Sequence, residues 1–122
     1  MSVFLKAIEI LKEKGWTKGA YSRLEPNETT RYGLQPAGYC LVGACAEAAF
    51  PFVNDINDKI SAFENENNGL HSILTRACTG RSPTRYNDEL LNKDEAIEIL
   101  RKAYEHECEL AKQTEHSFAL PA

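Results

Sequence analysis

The sequence predicts one mainly α domain of about five helices, with a short β-hairpin or extended loop between the first two. Three observations predict it. The 122 residues are 43% hydrophobic and 26% charged, ordinary values for a single globular core. Apolar residues recur at the three- and four-residue spacing of helices along most of the chain. Residues 16–39 interrupt that period with Gly19, Gly33, Gly38, Pro26 and Pro36. The domain is expected to span 1–122, with a core over 2–112 and a frayed tail over 113–122.

Ser2 is placed to cap a first helix over residues 2–14, in which Phe4, Leu5, Ala7, Ile8 and Leu11 form the apolar face. Gly15 suits the left-handed position that closes a helix, and Trp16 after it can fold back onto the last turn. In the next stretch Tyr21, Thr29, Thr30 and Tyr32 favour extended backbone. The expected hairpin turns at Glu25–Glu28 and pairs Ala20–Arg23 with Thr30–Tyr32; a strandless loop is the alternative.

The segment Cys40–Phe50 is the least polar in the chain and reads as a helix buried all round, ended by Pro51. Its small residues Gly43, Ala44, Ala46, Ala48 and Ala49 admit close neighbours, and Glu47 is its one charge. Asn54 or Asp55 can cap a short helix carrying Ile56, Ile60 and Phe63, interrupted at Asn65–Gly69. Another helix is expected over Leu70–Cys78, closed by Gly80. Thr79–Asn92, with Gly80 and Pro83, is expected as an ordered loop. Asp94 is the expected cap of the last helix, whose inward stripe runs Ala96, Ile97, Leu100, Ala103, Tyr104, Glu107, Cys108 and Ala111.

The net charge of −4 argues against a nucleic-acid binder, since such proteins draw affinity from clustered Lys and Arg. Arg76, Arg81 and Arg85 still lie close together in sequence and give the loop after the middle of the chain a positive character, read either as a solvated loop or as an anion site. No apolar run approaches the ~20 residues that span a bilayer. Lys6, Glu9, Lys12 and Glu13 interrupt the start where a signal peptide would be apolar. A cytoplasmic protein is expected, and its four cysteines, Cys40, Cys45, Cys78 and Cys108, are then thiols.

The order of Gly15-Trp16, Lys18-Gly19-Ala20-Tyr21, Tyr39-Cys40-Leu41-Val42-Gly43-Ala44 and Tyr86-Asn87-Asp88 between two amphipathic helices is similar to that of DUF6197, a family of small bacterial and phage proteins. The resemblance covers about residues 5–104. Tyr86 stands where the family usually has Trp before Asn-Asp, and Cys45 where Leu often follows the Gly-Ala pair. The resemblance implies the element order and singles out these motifs, and it brings no activity with it.

Two functional readings follow from the residues. In the first, a small binding or interaction protein takes a nucleotide-like or other anionic ligand, or contacts a protein partner. Trp16, Lys18, Tyr21, Arg85, Tyr86 and Asn87 would offer it stacking faces and positive charge. In the second, Cys40 is a thiolate nucleophile at a helix N-terminus, with His71 as base and Asn87 or Asp88 orienting it. Packing is the default for Cys40 among Leu41, Val42 and Ala44, and turn or cap bonding is the default for Asn87-Asp88. No metal or cofactor is expected. Cys40 and Cys45 lack the tight pair spacing of zinc sites, and neither a phosphate-loop nor a dinucleotide fingerprint occurs.

Overall fold

The computed structural model describes residues 2–19, 22–26, 34–65 and 69–119, with backbone alone for 22–26, 34–37 and 114–119. The described elements are α1 (Val3–Lys14), β1 (Ser22–Pro26), β2 (Leu34–Tyr39), α2 (Leu41–Ala49), α3 (Ile56–Asn65), α4 (Leu70–Ala77), α5 (Pro83–Glu89) and α6 (Lys93–Ala119). The protein is therefore mainly helical, as its periodicity predicts.

The first helix begins where Ser2 accepts the Phe4 N–H at 3.1 Å and stops at Gly15, whose φ of 97° is open to glycine at little cost. Phe4, Ala7, Ile8 and Leu11 face the interior. α2 is the centre of the fold, packed against α1, α3 and α5, while α6 lies along α1 and α4. Leu41, Ala44, Cys45 and Ala46 on α2 have no exposed surface, and neither have Phe63, Leu74, Leu100 and Ala103 from the surrounding helices. Glu47 at the edge of α2 pairs with Lys59 of α3, itself buried, so the one charge on the central helix is matched inside the fold. No helix among the described residues is long and apolar enough to cross a membrane.

Four local features depart from the sequence expectations. The strands pair antiparallel with Pro26 opposite Leu34 and Ser22 opposite Tyr39, so Glu25 and Pro26 belong to β1 and not to a turn. A two-stranded ladder has only edges, where proline is tolerated, and a register shift at Arg23/Leu24 accommodates the irregularity. The expected partner strand Thr30–Tyr32 lies outside the described residues. Secondly, the expected Thr79–Asn92 loop contains a helix, α5, which starts with Pro83 in its first turn, where a missing N–H costs nothing.

The last helix is capped by Asn92, not Asp94. The Asn92 side chain accepts the Glu95 N–H at 3.0 Å, and the Glu95 carboxylate reaches back to the Leu91 N–H at 2.7 Å. Its backbone runs as helix to Ala119, past Gln113. Finally, α4 closes with Thr79, not Gly80, as the first left-handed residue. The Thr79 N–H meets Arg76 O at 3.0 Å, and the Gly80 N–H meets Thr75 O at 2.9 Å.

Thr79 has φ 59°, a conformation that is costly for a β-branched residue. Thr79→Gly is expected to raise stability by about 1 kcal/mol, seen as a higher urea midpoint at unchanged slope. A loss of stability would show that the Thr79 side chain contributes more than its backbone strain.

Candidate functional site

The motifs singled out by sequence meet at the first turn of α2. After Gly15 the chain runs alongside the end of β2, with Thr17 N–H donating to Tyr39 O and Tyr39 N–H to Gly15 O, both at 3.0 Å. This zipper carries Tyr39 and Cys40 into the core and brings Trp16 over the start of α2.

Asn87, in the last turn of α5, has no exposed surface. Its Oδ1 accepts the Trp16 indole N–H at 2.8 Å and the Leu41 backbone N–H at 3.1 Å, and its Nδ2 donates to Thr17 O at 3.0 Å. One amide thus joins the segment after α1, the start of α2 and the end of α5. The Leu41 N–H is among the first-turn donors that a helix leaves without partners, and here it has no access to water.

Cys40 supplies the cap itself. Its Sγ accepts the Gly43 N–H at 3.3 Å, the position that serine or threonine usually fills. Burial pushes the thiol from 9.0 up to about 11; the Gly43 and Val42 N–H groups favour the thiolate but are outweighed, and nearby Asp88 raises the value further. The sequence expectation of an activated thiolate rests on those same amides, but desolvation is the larger effect.

Asp88 is exposed and accepts the Gly19 N–H at 2.8 Å, while Lys18 Nζ reaches Leu90 O at 3.4 Å. Tyr86 is half-buried, with the Arg81 guanidinium 5.7 Å from its ring centre and held by Glu89 at 2.5 Å. Arg85 is exposed on the same helix. Tyr21 lies outside the described residues. Trp16, Lys18, Cys40, Asn87 and Asp88 therefore gather around one turn, and Tyr86 and Arg85 flank it on α5.

His71 is elsewhere. It lies on α4 with its ring edge-on to Phe63 at 5.8 Å, and among the described hydrogen bonds and ring contacts nothing joins it to Cys40 or Asp88. Asn87 has internal partners in place of a face open to a ligand. Sequence reasoning offered Arg81 and Arg85 as an anion site but read α5 as part of a loop, so it did not place Ser82 and Glu89 beside them in one groove. The signal was present in Ser82-Pro83, a helix-start pattern.

Asn87→Ala leaves the buried Leu41 N–H and the half-buried Trp16 indole and Thr17 carbonyl without their partner. Each orphan costs about 1–3 kcal/mol, so a loss of about 3 kcal/mol or more is expected in urea unfolding. Trp16, the single tryptophan, should report it as a red-shifted emission. A loss below about 1 kcal/mol would remove Asn87 from this role. Cys40 gives a pH signature. Unfolded, the thiol ionises near 9.0, and folded near 11, so above pH 9 the unfolded state binds fewer protons. Stability should hold below about pH 9 and fall as the pH rises towards 11, with a shallower fall in Cys40→Ser.

The family model described as a family of unknown function, DUF6197, matches residues 2–106. No curated protein and no solved structure matches the chain. The matched span contains α1 to α5, about half of α6 and every residue of the Asn87 cluster, and the chain belongs to the DUF6197 family.

Proposed function

We propose that this chain acts by non-covalent binding, taking an anionic small ligand in the groove along α5. The observation that carries the reading is Arg85, an exposed guanidinium with no acidic partner among the described residues. It shares a groove of about 460 Å³ with Arg81, Ser82 and Glu89. Arg81 is already oriented by Glu89 and the Tyr86 ring, which lowers the entropy lost when it meets a ligand. Two guanidinium forks and a hydroxyl suit a carboxylate or phosphate group, which accepts paired N–H bonds.

Of the residues named by sequence for this role, Arg85 and Tyr86 remain at the groove, and Lys18 lies at the far end of α5. A protein partner is the second reading. Phe52, 96% exposed between α2 and α3, favours it, because a fully solvated phenylalanine gains from being covered. A thiol hydrolase built on Cys40 has less support, since burial keeps that thiol protonated at neutral pH.

Titration calorimetry with inorganic phosphate and adenosine monophosphate is the direct test. Binding is expected to weaken about tenfold or more in Arg85→Glu, as a charge-assisted bond is replaced by repulsion. Retention of full affinity in that variant, or no heat from either anion, would argue for the protein-partner reading.

A further inference from the structure

We propose that the groove along α5 is built for a small polyhydroxylated anion, a sugar phosphate or a sugar acid, and gives no hold to a nucleobase. The inference rests on the anion reading above and specifies the rest of the ligand. Clefts that take flat or apolar molecules are walled mainly by apolar and aromatic side chains. This groove, of about 460 Å³, is lined by Arg81, Ser82, Arg85 and Glu89, none of them apolar. The two rings that the sequence offers for stacking are engaged elsewhere. Tyr86 has the Arg81 guanidinium over its ring at 5.7 Å and packs against the core, and the Trp16 indole is bonded to Asn87.

The mixture of donors and acceptors in the lining selects the kind of anion. Ser82, Arg85 and Glu89 follow one another at three- and four-residue spacing and so share one face of α5. An ionised phosphate or carboxylate chiefly accepts hydrogen bonds. It satisfies the two guanidinium groups and the Ser82 hydroxyl, but it meets Glu89 as a like charge. A ligand hydroxyl donates as well as accepts, and it is the neutral group that a carboxylate can hold. Glu89 engages Arg81 through Oε1 at 2.5 Å, and a carboxylate has acceptor sites for more than one donor. Ser82 makes no capping bond to α5, unlike Ser2 at the start of α1, so its hydroxyl is not committed to the helix it precedes. An anion carrying hydroxyl groups therefore matches all four side chains, whereas a bare anion matches three.

The test is titration calorimetry on the full chain at neutral pH with ribose 5-phosphate, adenosine monophosphate and inorganic phosphate, and with gluconate beside acetate. Ribose 5-phosphate is expected to bind about fivefold or more tighter than inorganic phosphate, and about as tightly as adenosine monophosphate, because the base adds nothing. Glu89→Ala should abolish the advantage of the sugar while inorganic phosphate still binds. Glu89 is exposed, so its removal leaves the core intact. A gain in the phosphate pair alone, or in the carboxylate pair alone, supports the proposal and names the anion. Adenosine monophosphate binding about tenfold tighter than ribose 5-phosphate, a sugar advantage that survives in Glu89→Ala, or no gain in either pair would overturn it. If inorganic phosphate binds, weakens in Arg85→Glu and gains nothing from a sugar, the anion reading stands and this inference falls; if no anion binds, both fall.

Discussion

The fold depends on satisfying the N-terminus of a helix that has no water around it. α2 is apolar on almost every face, and this lets it sit at the centre with α1, α3 and α5 against it. The same burial leaves its first N–H groups in the interior, where each unpaired donor carries a desolvation cost. Asn87 and Cys40 meet that requirement, one from a distant helix and one from the adjacent residue. Much of the rest follows. α5 must end beside α2, the chain after α1 must bring Trp16 and Thr17 to the same amide, and β2 must deliver Cys40 in extended conformation.

The acidic total of the chain is unevenly distributed. Glu47 and Lys59 neutralise each other where they are buried, and a buried pair of this kind is worth more as a positional constraint than as net stabilisation. At the surface, guanidinium groups gather along α5, while lysines and glutamates, of both signs, line a cleft between α1 and α2. Net charge describes neither surface. Local sign is set by which helix faces meet.

Helices were legible wherever an apolar stripe coincided with a local stop or start signal, as with Ser2 and Gly15 for α1, Pro51 after α2 and Asp55 before α3. α5 was obscured because seven residues give too little periodicity to outweigh Gly80 and Pro83 on its N-terminal side. The hairpin register was obscured because Pro26 and Pro36 read as breaks, although both fit an edge-only ladder. In the site, the sequence put Trp16, Cys40 and Asn87-Asp88 forward as motifs, but neither their meeting nor the role of Asn87 could be read from it. Its partners are 46 and about 70 residues away in sequence, and no local pattern distinguishes an amide that turns inward from one that forms a turn. For Cys40 the helix-start position was legible, whereas the desolvation that dominates its chemistry depends on the packing of α2.

The long reach of the Asn87 amide bears on the order in which the chain acquires its structure. Trp16, Leu41 and Asn87 come from three separated stretches, so their shared bonds close only after two long intervening loops have closed. During synthesis the first eighty-six residues emerge without the acceptor that α2 and Trp16 require. α1 and α2 can associate before that point, but the start of α2 is still short of a partner. The tryptophan environment is thus a marker of the docking of α5.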